Sequence, residues 1–200
     1  AKRVLRDVTA AAEELGKTAD PRWKEISDNL VFTYNDEGVT MEYDGYDGKI
    51  IKQTDVNMLA YPLGVVTDRG QILRDIDYYF DRIDPNGPAM SNAIIAVLHA
   101  RLGDPETAFK VFKKSYTDKL RPPFGVLSEN ADNSRVSFVT GLGGILQSVI
   151  FGFAGVDITE NGIIQLPTTL PSHWKSLTVT GVGVDKQTFR VENPDYKEIK

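Results

Sequence analysis

One segment of this chain is apolar on almost every side of the helix that it predicts. The segment runs from Ala89 to Leu102 and reads AMSNAIIAVLHARL, so a helix drawn through it has no wide polar face. A helix of that kind has to be buried on most of its sides. Any fold assigned to the chain must therefore surround this helix with other elements.

The neighbouring segments supply such elements. Helical periodicity predicts further helices over residues 1–16, 21–30, 55–61, 71–83 and 106–116, and a second largely apolar helix over 145–153. Asp104-Pro105 has the composition of an N-cap followed by proline at the first helical position. In the second helix we expect Trp23, Ile26 and Leu30 to face inward. Buried and amphipathic helices in alternation are typical of a two-layer helical toroid, and these helices would form about half of an (α/α)6 barrel.

Two regions lack helical periodicity. Residues 35–52 are rich in Gly, Asp and Tyr and predict a long loop with a short hairpin. From residue 156 onward, Asn161-Gly162 lies between two short β-rich runs, which is a strong hairpin signal. A second pair of β-rich runs is separated by Asp185-Lys186. The fold class is therefore mainly α, with part of a helical barrel over 1–155 and a small β-domain over 156–200, whose polar tail from residue 193 we expect to fray or to form an edge.

Composition narrows the classes of partner. The net charge of −5 argues against a nucleic-acid-binding surface, which would need a basic face. No apolar run approaches the length of a membrane span, so we expect no membrane partner. There are no cysteines, and His99 and His173 lie far apart in sequence, so we predict no metal site and no cofactor. His99 falls in the apolar helix, where a packed core residue is the expected role. Secreted, periplasmic and cytoplasmic locations all remain open, as does a homodimer.

The N-terminal segment predicts a helix without a cap. AKRVLRDVTAAAEEL places apolar residues on one helical face, and no Ser, Thr, Asp or Asn precedes the pattern. A mature or tagged terminus is one interpretation. We favour the other, that the chain begins inside a larger protein.

A polar loop between helical segments supplies the first candidate for catalysis. The stretch PPFGVLSENADNSRVSFVTGLGG, residues 122–144, carries Glu129 and ends in glycines that we interpret as a turn opening the last helix. A carboxylate on a loop held by rigid helices can act as a catalytic base. The alternatives are that Glu129 is a solvated loop acid and that Gly141, Gly143 and Gly144 serve close packing rather than anion binding.

Two further segments enter helices from loops. In KQTDV, Lys52 and Gln53 could donate hydrogen bonds to sugar hydroxyls, although a surface lysine beside an N-cap at Thr54 or Asp55 explains the same residues. The segment DPNGPAM, residues 84–90, reads as a turn and a helix start. The residues alone therefore indicate a helical toroid fragment with polar, sugar-compatible loops.

Several motifs in order carry a resemblance that covers residues 50–190. IIKQTDVNMLAYPL, NGPAMSNAI, PFGVLSENADN and SFVTGLGGILQSVIFGFAGV together resemble glycoside hydrolase family 65. That family contains inverting α-glucoside phosphorylases and hydrolases, among them kojibiose and maltose phosphorylases, acid trehalases and a glucosidase acting on glucosylgalactosyl-hydroxylysine. The resemblance implies that the helices are the C-terminal half of an (α/α)6 barrel followed by the small C-terminal β-domain.

The resemblance also implies residue roles. Lys52 and Gln53 match the pair that holds glucose in the −1 subsite, and Glu129 matches the general base of the hydrolases. Residues 86–88 stand where phosphorylases have a serine-rich phosphate loop, and Phe138 stands where they have a phosphate-binding histidine. Both departures favour hydrolysis, with α-1,2-linked glucosides of the kojibiose type first and trehalose next.

One family motif is absent. The general acid of the family is a glutamate in a G-P-D-E-Y type motif, and the sequence contains no such motif. We therefore expect the acid on the remaining N-terminal part of the same enzyme, which would be the main partner of this chain beside a small glucoside substrate. A phosphorylase and a non-catalytic sugar-binding or scaffold fragment are the alternatives.

Overall fold

The computed structural model describes residues 1–132 and 136–196. These form a helix-rich body with small antiparallel hairpins, which confirms the mainly α class. The helices are α1 (Lys2–Glu14), α2 (Pro21–Asn29), α3 (Arg69–Phe80), α4 (Ala89–Arg101), α5 (Pro105–Lys114) and α6 (Val139–Gln147), with a 3-10 helix at Asn57–Leu59 and a π-helix at Ser148–Phe153. Residues 197–200 of the polar tail lie outside the described part of the chain.

Helix α4 is the centre of the core. It packs against α5, α6 and the π-helix, and Ile95, Val97 and Leu98 are at most 2% exposed. Helix α5 begins at the expected cap, where the Asp104 side chain accepts a hydrogen bond from Thr107 N at 3.1 Å. The prediction that the most apolar segment is enclosed by its neighbours is therefore confirmed. Burial of its apolar side chains is the main force that stabilises the core.

Helix α6 corrects one prediction. It begins at Val139 rather than Ile145, so Gly141, Gly143 and Gly144 lie inside the helix and do not form a turn. A Cβ at Gly144 would approach the Ala93 Cβ to 2.9 Å, so the missing side chain allows α6 to lie close against α4. The Ser148 hydroxyl, at the start of the π-helix, donates to Ala93 O at 3.1 Å across the same contact.

The strands form three separate two-stranded antiparallel sheets. Strands β3 (Val156–Thr159) and β4 (Gly162–Gln165) form the first expected hairpin, but the turn between them lies at Glu160 and Asn161, one residue before the expected Asn161-Gly162 pair. Strands β5 (Ser176–Val182) and β6 (Gln187–Glu192) form the second expected hairpin, with a register irregularity between Val179 and Val182. The third pair, β1 (Leu120–Arg121) and β2 (Val126–Leu127), has no counterpart in the sequence prediction.

Two helical predictions need correction. The segment 55–61 forms only the short 3-10 helix at Asn57–Leu59, where the Thr54 hydroxyl donates to the Asn57 side-chain oxygen at 2.5 Å. In α2, Ile26 is 50% exposed rather than inward-facing, while Trp23 and Leu30 are half-buried. The long loop predicted over residues 35–52 is present, and an isolated antiparallel bridge pairs Tyr34 with Thr40 at its start.

Helix α1 lacks a side-chain cap, as its sequence indicates, and has no buried residue. Its Val4 and Leu15 are 66% and 70% exposed. Within residues 1–132 and 136–196, no helix has the length and apolar character needed to cross a membrane.

Candidate functional site

Glu129 is buried at the point where the central helix begins. The residue is 6% exposed, and its carbonyl oxygen accepts a hydrogen bond from Ala89 N at 3.2 Å. Ala89 is the first residue of α4, so this bond satisfies one of the amide groups that a helix N-terminus leaves without an intrahelical partner. The expectation of a solvated loop acid is therefore wrong for the side chain's environment.

Lys52 reaches Glu129 from a different part of the chain. Its segment is held by a parallel bridge between Ile51 and Ile83, with Asp84 N donating to Ile51 O at 2.8 Å. The Lys52 Nζ lies 3.7 Å from Glu129 Oε1, and the two side chains are 61% and 8% exposed respectively. The structure thus brings two of the three candidate site residues together, one open to solvent and one enclosed.

Gln53 is half-buried and lines an adjoining cavity of about 440 Å³. Lys52 lines the same cavity and so connects it with Glu129, which does not belong to its lining. The walls carry the carboxylates, amide, ammonium groups and aromatic rings that sugar sites commonly use. The lining residues are Glu42, Tyr43, Tyr46, Lys49, Ile50, Ile51, Lys52, Gln53 and Asp55.

A pair of carboxyl groups lies in this cavity wall. Burial raises the pKa of the Glu42 carboxyl above its ordinary value, and Asp55 raises it further through its charge and a hydrogen bond between the two groups. Glu42 Oε2 is buried and has no hydrogen-bond partner among the described residues. Sequence reasoning did not select either carboxylate, because their proximity arises only from the folded loop.

The turn at residues 84–88 uses its own backbone donors. Asn86 N donates to Asp84 Oδ1 at 2.9 Å, and Gly87 N donates to Asp84 O at 2.7 Å. The turn therefore carries a carboxylate where an anion site would need free donors. Phe138 lies at the cap of α6, with its N–H donating to Leu127 O at 2.9 Å.

A larger cavity of about 610 Å³ is lined by residues of α3, α4 and α5 and by the segments that follow α3 and α5. Its lining includes the buried Lys119, whose Nζ lies 3.0 Å from Asp118 Oδ1. Glu129, Lys52 and Gln53 do not line this cavity.

The histidines occupy separate aromatic and polar surroundings. His99 is half-buried and its Nδ1 lies 3.5 Å from Asp104 Oδ2, while burial lowers its pKa below the ordinary value against the opposing effect of Asp104. His173 packs edge-on against Phe109. In the described ranges, no group of three or more His, Asp or Glu side chains is arranged to hold a metal ion.

Comparison with known proteins gives matches of sequence and matches of fold. No protein-family profile matches the chain. The chain is 46% identical over 193 residues to a kojibiose hydrolase of Mucilaginibacter mallensis, covering 96% of this chain and 29% of the relative. It is 44% identical over 189 residues to a kojibiose hydrolase of Flavobacterium johnsoniae, covering 94% of this chain and 28% of the relative. It therefore spans less than a third of the length of these relatives.

The fold is also similar to a solved structure that carries the name kojibiose phosphorylase, from the human microbiome. The TM-score is 0.69 over 96% of this chain and 31% of the other, at 16% sequence identity. Identity at that level is informative about the fold alone. The sequence matches, which extend along nearly the whole chain, establish that it belongs to glycoside hydrolase family 65.

Proposed function

We propose that this chain carries the general base and part of the glucose-binding subsite of an inverting α-glucoside hydrolase. The observation that carries the proposal is the buried Glu129 carboxylate, with Lys52 Nζ 3.7 Å away at the edge of a polar cavity. Kojibiose-type α-1,2 linkages are the favoured substrates, since both bacterial relatives are named kojibiose hydrolases. Trehalose is the next candidate.

In this proposal Glu129 accepts a proton from a water molecule. The water oxygen then attacks the anomeric carbon from the face opposite the glycosidic oxygen, the bond to that oxygen breaks, and an acid donates a proton to the leaving group. The two carboxyl groups of an inverting pair stand about 6.5–9.5 Å apart, which leaves room for the water. The acid comes from the remainder of the enzyme. In this proposal residues 1–155 form one part of the catalytic barrel, and residues 156–200 form a small appended β-domain.

Lys52 and Gln53 hold the glucose ring in this arrangement. An ammonium group donates hydrogen bonds, and an amide both donates and accepts them, so the pair suits adjacent sugar hydroxyls. A site built around such bonds discriminates against sugars that lack the hydroxyl, because buried donors are then left without a partner. The open position of Lys52 is compatible with a group that becomes enclosed when a sugar binds.

Hydrolysis is favoured over phosphorolysis by the turn at residues 84–88. The Asn86 and Gly87 amides already donate to Asp84, whose carboxylate would also repel a phosphate dianion. Phe138 offers no hydrogen-bond donor in its side chain, unlike a histidine. Both features support water as the nucleophile.

The direct test is Glu129→Gln in the complete enzyme. The substitution keeps the shape of the side chain but removes its ability to accept the proton, so kcat for kojibiose should fall by at least about 100-fold. Glu160→Gln, on the exposed β3–β4 turn, is the matched control and should leave kcat unchanged. Near-normal activity of Glu129→Gln would overturn the assignment of the base.

The branch of the family is tested in the same assay. Kojibiose and trehalose are incubated with and without phosphate, and the anomer released is followed by NMR. We expect β-glucose at a rate independent of phosphate. Phosphate-dependent β-glucose 1-phosphate would support the phosphorylase alternative, and binding without turnover by the complete protein would support the non-catalytic one.

A further inference from the structure

Arg121 binds the backbone that follows the proposed base. Its Nη2 donates to Asn130 O at 3.0 Å and to Ala131 O at 2.7 Å. Its Nη1 donates to Asp118 O at 3.0 Å, on the turn before β1. The guanidinium thus joins the two ends of the β1–β2 hairpin, immediately after Glu129.

The charged guanidinium of Arg121 donates hydrogen bonds to neutral backbone carbonyl groups. In the described ranges no carboxylate lies within salt-bridge distance of it, and its Nε is buried without a hydrogen-bond partner. Arg121 is half-buried, and partial burial of a charged group without a carboxylate partner costs free energy that bonds to carbonyl oxygens offset only in part. A role in holding the conformation of the loop after Glu129 would explain why such an arrangement is present.

A second contact reinforces the same point. The Ser128 hydroxyl donates to Asn130 O at 2.6 Å, so one carbonyl receives bonds from both Ser128 and Arg121. On the other side, Ser128 N donates to Lys119 O at 2.9 Å, and Glu129 O itself accepts a hydrogen bond from Ala89 N. The backbone is therefore held immediately before and after the side chain that would act as base.

We propose that Arg121 is a positioning residue that sets the location of the Glu129 carboxylate relative to the attacking water. This inference rests on the proposed function, in which Glu129 is the general base. Displacement of a catalytic group by about 1 Å can cost about 100-fold in rate, so loss of the clamp should appear in kcat more than in KM. No sequence pattern indicates this role, because Arg121 lies in a hairpin that periodicity does not reveal.

The test uses Arg121→Lys and Arg121→Ala in the complete enzyme, with the exposed Arg190→Ala on β6 as control. A lysine can replace one or two of the carbonyl bonds but not the planar fork, so we expect kcat to fall about 5- to 20-fold in Arg121→Lys and about 100-fold in Arg121→Ala. KM for kojibiose should change less than about 3-fold, and Arg190→Ala should match the parent.

Sodium azide supplies a readout that a purely structural role would not move. Azide attacks the anomeric carbon without losing a proton, so it needs no base; the glycosidic bond breaks as before and the product is β-glucosyl azide. We expect azide to accelerate substrate consumption by Arg121→Ala and by Glu129→Ala. It should not accelerate consumption by Lys52→Ala, because that variant keeps the base and lacks only a contact to the sugar.

The outcomes separate the two hypotheses. If Glu129→Gln is active, the proposed function fails. If Glu129→Gln is inactive while Arg121→Lys keeps the parent kcat, the positioning role fails and the base assignment stands. If Arg121→Ala does not fold, Arg121→Lys decides, and a loss of kcat that azide does not relieve would also overturn the proposal.

Discussion

The two segments that form the candidate site differ in how firmly the chain holds them. Glu129 is bound through its own carbonyl to the first residue of α4, and the next carbonyls are held by Ser128 and Arg121. Lys52 follows a single bridge between Ile51 and Ile83, and its side chain is 61% exposed. One wall of the site is buried and fixed, and the other is open.

The difference indicates a division of labour. A base must be held in one position relative to the reacting atoms, since catalysis depends on geometry within a fraction of an ångström. A sugar-binding lysine can be ordered by its ligand, at a cost in side-chain entropy when binding occurs. Substitutions on the Glu129 wall should therefore affect kcat, whereas those on the Lys52 wall should affect substrate affinity and kcat/KM.

The largest expected effect on the open wall is that of Lys52→Ala. Loss of a charged hydrogen bond to an enclosed sugar hydroxyl should lower kcat/KM about 10- to 150-fold, corresponding to about 1.5–3 kcal/mol. Because the side chain is 61% exposed in the free protein, the free energy of unfolding should change by less than about 0.5 kcal/mol. Steady-state kinetics and denaturant unfolding of the complete enzyme measure the two quantities.

Lys175→Ala is a suitable control, since Lys175 is exposed before β5 and remote from the cavity lining. A loss of stability in Lys52→Ala as large as its loss of activity would contradict the open-wall interpretation.

The second prediction concerns the backbone beneath Lys52. A Cβ at Gly87 would lie 2.8 Å from Asp84 O and 3.0 Å from Lys52 O. Backbone oxygens cannot rotate away as side chains do, so Gly87→Ala should destabilise the protein by about 1–3 kcal/mol and displace the Lys52 segment. We expect KM for kojibiose to rise more than kcat falls. An unchanged KM would mean that Lys52 does not depend on this turn.

Much of the fold could be predicted where a local signal has a local cause. The Asp104-Pro105 cap determines the start of α5, and the Asn161-Gly162 signal locates the β3–β4 hairpin to within one residue. The start of α6 was missed, because its glycines are poor helix formers and are explained only by the close approach to α4. Tertiary packing determined that helix, and periodicity could not reveal it.

The site was predictable only in part for the same reason. Family motifs selected Glu129 and Lys52, but their 3.7 Å separation joins segments far apart in sequence. Arg121, Glu42 and Asp55 gained their surroundings from loop conformation, and charged residues in a polar loop are usually solvated. The sequence also does not show that Gln53 lines the cavity while Glu129 lies outside its lining.

The third prediction tests the fixed wall through the glycines of α6. A Cβ at Gly141 would lie 2.8 Å from Leu127 Cδ2, two residues before Glu129, and 3.0 Å from Ala89 Cβ. Leu127 can adjust its side chain, but the Ala89 Cβ is fixed to the backbone of α4, so Gly141→Ala should cost about 1–3 kcal/mol of stability and reduce kcat with little change in KM. Gly143, in the same helix, has nothing within 4 Å of an added Cβ. Gly143→Ala should instead stabilise by about 0.5–1 kcal/mol. Equal unfolding free energies for the two variants would contradict the packing argument.

The smallest effect is expected at Glu42, on the open wall. Burial and the neighbouring Asp55 raise the pKa of Glu42 above its ordinary 4.5. Between that ordinary value and the raised one, the folded state therefore holds a proton that the unfolded state has lost, and stability falls as pH increases through this window. Glu42→Gln stays neutral at every pH, so this decline should be absent and the unfolding free energy should depend less on pH, while Glu160→Gln should leave the parent profile unchanged. Denaturant unfolding from acidic to neutral pH measures the slope. An identical slope in Glu42→Gln and the parent would mean that the carboxyl pair is hydrated rather than enclosed, and the open wall would then be wetter than its buried Oε2 indicates.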